Sequence, residues 1–320
     1  MTHSSSACKR ALVTGATGQD GSYLCELLLA LGYSVTAMLH PSGDDRLQRI
    51  RHLDTHPSLD YAYGDITDPA WPFTVALAHY DEVYHLAALT HVVQSYRAPT
   101  LAMETNATSV ARLLHALYKH SRDTRMYFAA TSEMFGTMPM GTRADERYPL
   151  AAQSPYAAAK VAAHLLCRVY RERGLYVTSG IAFNHESFRR GLNFVTRKLG
   201  VGVRNFKRSG TPVTIGNVKA MRDWHHAADT VRAMHTSLQQ PSPGEYVLAS
   251  GIARTVESLA RDVCAYYHVP YEDAVKAVAS ERRPWDVEYL CGDATLAHNV
   301  LGWTPAISWD DLVEDICREV

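Results

Sequence analysis

The segment Thr14-Gly15-Ala16-Thr17-Gly18-Gln19-Asp20-Gly21 sets three glycines at a G-x-x-G-x-x-G spacing, directly after the apolar run Ala11-Leu12-Val13-Thr14. Leu24, Leu27, Leu28 and Leu31 follow at helical spacing, and Gly32 stands where a helix C-cap is expected. Glycines at a strand-to-helix turn let backbone N–H groups come close to a phosphate, which then rests on the positive end of the helix. The spacing departs from G-x-G-x-x-G, and tight turns also collect glycine. The position between a strand and a helix decides for a dinucleotide-binding turn, and therefore for a strand-helix-strand architecture.

The remaining first half agrees. Tyr33 to Leu39, Leu59 to Tyr63, Glu82 to Leu86 and Met126 to Ala130 read as strands, each preceded by a stretch of helical character. Ser154-Pro155 is a good N-cap and first-turn pair for a long helix to about Arg173, and Val177 to Phe183 is a sixth strand. Six β–α steps in this order predict a doubly wound parallel sheet. From Gly191 to Lys207 the rhythm is lost. A helix over about His225 to Gln239 and a strand at Tyr246 to Ala249 are expected to return to the main sheet. Val256 to Tyr267, Asp293 to Leu301 and Asp310 to Cys317 read as short amphipathic helices. No linker separates the halves, so a second domain is expected to be interleaved with the first.

Composition closes off other classes. The 320 residues carry 32 Lys and Arg against 33 Asp and Glu, a net charge of −1. That balance argues against a nucleic-acid-coating or polybasic membrane-binding protein. No run reaches the roughly 18 apolar residues of a membrane span, and Met1 to Ser6 reads as a loose tail without a signal-peptide core. The six cysteines are far apart and show no C-x-x-C pair, which suits a reducing, cytoplasmic setting. There is no H-E-x-x-H, and neither His185-Glu186 nor His225-His226 has companions at ligand spacing, so no metal is expected. No cysteine sits beside a base, which leaves no thiol nucleophile.

Two short segments carry acid–base chemistry. Tyr156 and Lys160 stand at i, i+4 near the start of the long helix, on one helical face. A phenol with a pKa near 10 is a poor base at neutral pH, and a neighbouring cation favours the phenolate. Such a pair can take a proton from a sugar hydroxyl as hydride leaves the same carbon. A surface Tyr/Lys pair is the bland alternative, which the glycine turn upstream outweighs. Thr131-Ser132-Glu133 follows a strand at the edge where doubly wound sheets bind ligands. By position alone, Thr131 reads equally as a hydrogen-bonder to substrate or a helix N-cap, and Glu133 equally as an acid/base or a solvated charge.

Together these residues resemble the extended short-chain dehydrogenase/reductase superfamily. Within it they resemble the GDP-mannose 4,6-dehydratase family and its relatives acting on other GDP-sugars, GDP-heptoses among them. The likeness runs through Gly15 to Leu24, Ala130 to Gly136 and Ser154-Pro155-Tyr156 with Lys160. Its most specific part is Phe183 to Ser187 continuing through Arg189 to Lys198, joined by Gly216-Asn217, Arg222-Asp223-Trp224 and Arg283-Pro284 leading to Gly292-Asp293. The resemblance implies a Rossmann-like doubly wound α/β fold. It places a dinucleotide-binding domain at 1–183 plus about 223–250, and a smaller nucleotide-sugar domain at about 184–222 and 251–320. It further implies that Tyr156 and Lys160 run oxidation at C4, that Glu133 removes the C5 proton while Thr131 orients the sugar, and that water leaves from C6 before hydride returns there.

The cofactor is expected to be NADP, with NAD as the alternative, held by Gly15, Thr17, Gly18, Gln19, Asp20, Gly21, Arg46, Asp65, Ile66, Leu86 and Ala87 together with Tyr156 and Lys160. The GDP-sugar is expected at Thr90, Ser132, Asn184, Val195, Lys198, Arg222, Arg283 and Asp286. Arginine and lysine suit a diphosphate on physical grounds as well. The sequence departs from the family where His40-Pro41 replaces two arginines after the second strand, and where Leu89-Thr90 replaces Gln-Ser. Gln153 and Ala157 beside the tyrosine, Met221, and the exchange of Asp286 and Glu288 add to this. These changes cluster at the sugar and cofactor positions, so the reaction type is firmer than the sugar. A nucleotide-sugar C4-epimerase or 4-keto reductase would keep the glycine turn and the Tyr/Lys pair without needing Glu133, and a non-catalytic dinucleotide sensor would need none of the four catalytic residues. The helices about Thr105 to His120 and Pro155 to Arg173 carry apolar faces that often build a dimer in this superfamily. A homodimer or homotetramer is the expectation, against ordinary packing on the sheet.

Overall fold

The structure, a computed structural model, describes residues 8–42, 45–281 and 285–319; the tail Met1 to Ser6 lies outside them. In chain order the first strands are β1 (Arg10–Thr14), β2 (Ser34–Leu39), β3 (Leu59–Tyr63), β4 (Glu82–His85), β5 (Arg125–Thr131) and β6 (Val177–Ala182). The later ones are β7 (Asn184–Glu186), β8 (Val213–Ile215), β9 (Met221–His226), β10 (Glu245–Leu248), β11 (Ala253–Thr255) and β12 (Val275–Ala277). Seven form one sheet in the order β10-β6-β5-β4-β1-β2-β3. Pairing is parallel from β3 through β5, with Val13 opposite Ala37 on one side and Tyr84 on the other. The order reverses at β1, between β2 and β4, and a doubly wound sheet opens its ligand crevice at that switch point. The expected Rossmann-like α/β class is what the chain adopts.

The chain divides into two compact units. One comprises the described residues of Met1–Ala130, Pro155–Gly180 and Met234–Glu245. In it Ala11, Leu12, Val13, Val83, Tyr84, Met126, Tyr127 and Phe128 are buried. Near-continuous apolar strands are what a sheet covered on both faces requires. The other comprises the described residues of Thr131–Ser154, Ile181–Ala233 and Tyr246–Val320. One of its cores gathers Leu199, Val203, Leu259, Val263, Leu312 and Ile316 with Trp224. Each such aliphatic side chain contributes about 1.5–3 kcal/mol by leaving water. A three-stranded sheet, β11-β9-β7, and a two-stranded one, β12-β8, complete this unit. Among the described residues no helix is long and apolar enough to cross a membrane.

Several elements differ from the sequence reading, each for a physical reason. The first helix begins at Gln19, not Ser22, because the Gly18 N–H closes the turn on the Gly15 carbonyl at 2.9 Å. The stretch without rhythm contains a helix, Val195–Ser209. Its apolar positions are diluted by Gly200, Gly202 and a buried charge: Arg197 donates to the Ile316 and Arg318 carbonyls at 2.7 and 2.9 Å. His225 and His226 end strand β9 instead of opening a helix, which starts at Ala227. Cross-strand partners on β7 decide that outcome, and a single sequence does not display them. Before β3 the structure has two short 3-10 turns, Asp45–Arg49 and Arg51–Leu53, in place of a helix.

Candidate active site

The glycine turn builds a narrow cradle at the carboxyl end of β1. Gly15 has φ +68°, and a Cβ there would lie 2.9 Å from the Ala87 nitrogen; a Cβ on Gly21 would lie 2.2 Å from the Gly15 oxygen. The helix Gln19–Ala30 starts on Gly18 with no side-chain hydrogen bond at the cap, and Asp20 lies in its first turn. A pyrophosphate fits such a helix start, so the residues present suit a dinucleotide. Leu86 and Ala87 form the opposite wall. The Thr14 hydroxyl oxygen accepts both of their backbone N–H groups, at 3.1 and 3.0 Å, and therefore turns its proton toward His85 Nδ1 at 3.3 Å. His85 is buried, and burial followed by the nearby Lys160 charge lowers its pKa to about 3, so the imidazole is neutral.

Beyond β3, Asp65 accepts the Thr67 N–H and hydroxyl, both at 2.8 Å, while His40 Nε2 lies 3.6 Å from its other oxygen. The Thr67 N–H is the main cause that keeps Asp65 below the usual carboxylate range. Ile66 is buried beside it. Arg49 donates to the Thr17 carbonyl at 3.0 Å, which brings a guanidinium to the glycine turn. Arg46 falls on the turn Asp45–Arg49, and its side chain lies outside the described part. Thr90 is exposed.

Tyr156 and Lys160 occupy the first turns of the helix Pro155–Glu172, and both are buried. The Tyr156 N–H donates to Ser95 Oγ at 3.1 Å, which fixes the helix start. Lys160 donates from Nζ to the Ala129 carbonyl at 2.8 Å and stands 4.9 Å from the Phe128 ring centre. Burial pushes its pKa down to about 8. The ammonium is thus held on the same helical face as the phenol, with few waters to screen it.

In the other unit, Thr131 ends β5 and caps the 3-10 turn Ser132–Phe135, its hydroxyl accepting the Glu133 N–H at 3.3 Å. The capping reading of Thr131 is therefore met in the structure. Ser132 is buried and Glu133 half-buried. Asn184 opens β7, and Val195 and Lys198 lie one turn apart on the helix Val195–Ser209. Arg222 and Asp286, expected separately, are brought together: Nη2 of Arg222 is 3.5 Å from Asp286 Oδ1, and Nη1 donates to the Met221 carbonyl at 2.9 Å. Arg283 lies outside the described residues. Among the described residues no group of three or more His, Cys, Asp or Glu side chains could hold a metal ion.

Three further residues shape these segments and were given no role from the sequence. They are Thr14, His85 and Asn106. Asn106 is buried in a π-helical turn, Glu104–Thr108, and its amide clips Leu89 on both sides, accepting its N–H and donating to its carbonyl at 2.9 Å each. The available signal was a lone Asn amid helical spacing, a residue that costs a helix unless it bonds elsewhere.

The profile of a family described as "GDP-mannose 4,6 dehydratase" matches residues 12–316. GDP-mannose 4,6 dehydratase 2 of Arabidopsis thaliana is 40% identical over 327 residues, covering 97% of this chain and 86% of that protein. GDP-mannose 4,6-dehydratase of Vibrio cholerae is 37% identical over 350 residues, with 98% and 92% covered. Among solved structures, the dTDP-glucose 4,6-dehydratase DesIV of Streptomyces venezuelae, with NAD and TYD bound, superposes with a TM-score of 0.86 at 24% identity, covering 96% and 95% of the two chains. A UDP-glucose 4-epimerase of Thermus thermophilus, in complex with NAD, gives 0.83 at 24% identity, with 96% and 97% covered.

Proposed function

This chain belongs to the GDP-mannose 4,6-dehydratase family, and from that premise we propose that it converts GDP-mannose, or a closely related GDP-sugar, to the GDP-4-keto-6-deoxy sugar. The match over residues 12–316 carries this reading. The survival of Thr131, Glu133, Tyr156 and Lys160 together supports it over an epimerase, a 4-keto reductase or a non-catalytic sensor. The carbon chemistry needs two kinds of base: a phenolate for the C4 hydroxyl and a carboxylate for the C5 hydrogen, which the C4 ketone makes acidic. Tyr156, with Lys160 favouring its ionised form, takes the hydroxyl proton. Glu133 removes the C5 proton and passes a proton to the departing C6 hydroxyl. Thr131, set by its cap geometry, orients the sugar. Positioned groups of this kind contribute roughly 10²–10⁴ in rate each. A bound nicotinamide would accept hydride from C4 and return it at C6, and with a proton restored to C5 as the hydride arrives the net reaction is loss of one water and redox-neutral.

For that cofactor we favour NADP over NAD. No acidic residue stands at the end of β2 before Asp44, where an NAD site would want one, and Arg49 is held at the glycine turn. The dinucleotide would rest on Gly15 to Gly21 with Asp65, Ile66, Leu86 and Ala87. Asn184, Val195, Lys198, Arg222, Asp286 and Arg283 would serve the GDP-sugar with Ser132 and Thr90. The dinucleotide-binding domain is taken as 1–183 plus about 223–250, the sugar-binding one as about 184–222 and 251–320. All six cysteines are free thiols, five of them buried, which supports a cytoplasmic setting. Leu165 and Val169, both exposed at i, i+4 on the helix Pro155–Glu172, support a homodimer or homotetramer. Incubation with GDP-, UDP- and dTDP-sugars, read by mass spectrometry for loss of water, tests the activity. Dehydration of another nucleotide sugar but no GDP-sugar would remove the substrate class, and the dinucleotide released on denaturation decides NADP against NAD.

A further inference from the structure

Neighbouring side chains on a strand leave opposite faces, so what grips Asp223 on one face of β9 settles where Arg222 stands on the other. Asp223 is completely buried. Its Oδ1 accepts the Ser250 N–H at 2.8 Å and the Ser250 hydroxyl at 2.6 Å. Its Oδ2 accepts the Gly251 N–H at 2.9 Å and the Gly292 N–H at 3.1 Å, with the Cys291 thiol at 3.7 Å. One carboxylate thereby ties β9 to the turn after β10 and to the segment downstream of Asp286. That segment also runs along β9, the Met221 N–H donating to Glu288 at 2.8 Å and the Leu290 N–H to Met221 at 3.2 Å. Arg222 and its partner Asp286 are thus carried by strand β9 and by the irregular segment that Asp223 joins to it.

Burial outweighs these hydrogen bonds and holds the Asp223 pKa above the usual carboxylate range. A charge kept under that penalty needs its whole set of donors. Every partner of the carboxylate is a donor, so an amide of the same shape would set an NH2 against N–H groups.

We propose that Asp223 is a positioning residue for the nucleotide diphosphate: it never touches the ligand, and it places Arg222 and Asp286 by pinning β9 to the segment that bears Asp286. This rests on the reading of Arg222 as a diphosphate ligand. GDP binding to the full chain, measured by calorimetry on the protein as purified, tests both. Arg222→Ala and Asp223→Asn are each expected to weaken GDP by about 10- to 100-fold. The double variant should be no weaker than Arg222→Ala alone, because one change acts through the other. The dinucleotide content of Asp223→Asn should be unchanged, and its KM should rise more than its kcat falls. Wild-type GDP affinity in Asp223→Asn, or effects that multiply in the double variant, would overturn the proposal. Wild-type affinity in Arg222→Ala would instead remove the reading beneath it. If Asp223→Asn does not fold, Ser250→Ala deletes one donor and keeps the carboxylate. It should weaken GDP several-fold, and a loss of the same size in the Arg222→Ala background would contradict the proposal.

Discussion

The ammonium of Lys160 is hydrogen-bonded to the carbonyl of Ala129 at 2.8 Å, two residues before Thr131. The strand that leads into Thr131-Ser132-Glu133 therefore also anchors the cation beside Tyr156 in sequence. With burial pushing Lys160 down to about 8, the charge proposed to favour the phenolate is present below that pH and lost above it. The kcat/KM profile is expected to fall on the alkaline side of about pH 8. A Lys160→Arg variant, where it retains turnover, should lose that alkaline limb because guanidinium does not titrate there. An unchanged limb in the variant would assign it to another group.

A methyl group at Gly21 would have to sit 2.2 Å from the Gly15 oxygen. Gly21→Ala should push the helix start away from the turn and empty the protein of dinucleotide. The measurement is the amount released on denaturation per chain, expected to drop at least about tenfold, a change of about 1.4 kcal/mol in binding. Thermal stability without added dinucleotide separates this from loss of fold.

Glu245 meets Arg168 at 2.6 Å, Arg171 at 2.9 Å and the buried His164 at 3.3 Å. Burial alone would raise its pKa; the hydrogen bonds from His164, Arg168 and Arg171 more than offset that and hold it well below the ordinary 4.5. The folded value lies below the unfolded one, so the stabilisation is complete above the ordinary value and drains away as pH falls through the carboxylate range. Glu245→Gln should cost about 1–3 kcal/mol at neutral pH by leaving two half-buried guanidinium groups without their carboxylate. The difference from wild type should shrink in acid, which denaturant titrations at several pH values would show.

In the proposed mechanism Glu133 is the residue that separates dehydration from simple exchange at C4. Glu133→Gln is expected to lower water loss by about 10²–10⁴ and to stop solvent deuterium from entering C5. Full turnover in that variant would sink the assignment of Glu133 as the base.

The parts of this molecule that were legible in sequence are those with local causes. The turn Gly15 to Gly21 has its own backbone geometry, and the Tyr156/Lys160 pair follows from helical spacing. What escaped was decided by distant partners. Arg197 hides a helix by being charged and buried at once, its donors spent on carbonyls more than a hundred residues away. His225 and His226 join a strand because β7 lies alongside. Asn106 and His85 gain their places through groups on other elements, Leu89 and Thr14. Neither composition nor spacing carries that information, and the same is true of Asp223.

The most direct test of the account follows one hydrogen. GDP-mannose bearing deuterium at C4, incubated with the protein in ordinary water, should lose one water and carry the label on its C6 methyl group, as Tyr156-led oxidation, Glu133-led elimination and return of hydride require. A label that stays at C4 of an epimerised sugar with no water lost would contradict it.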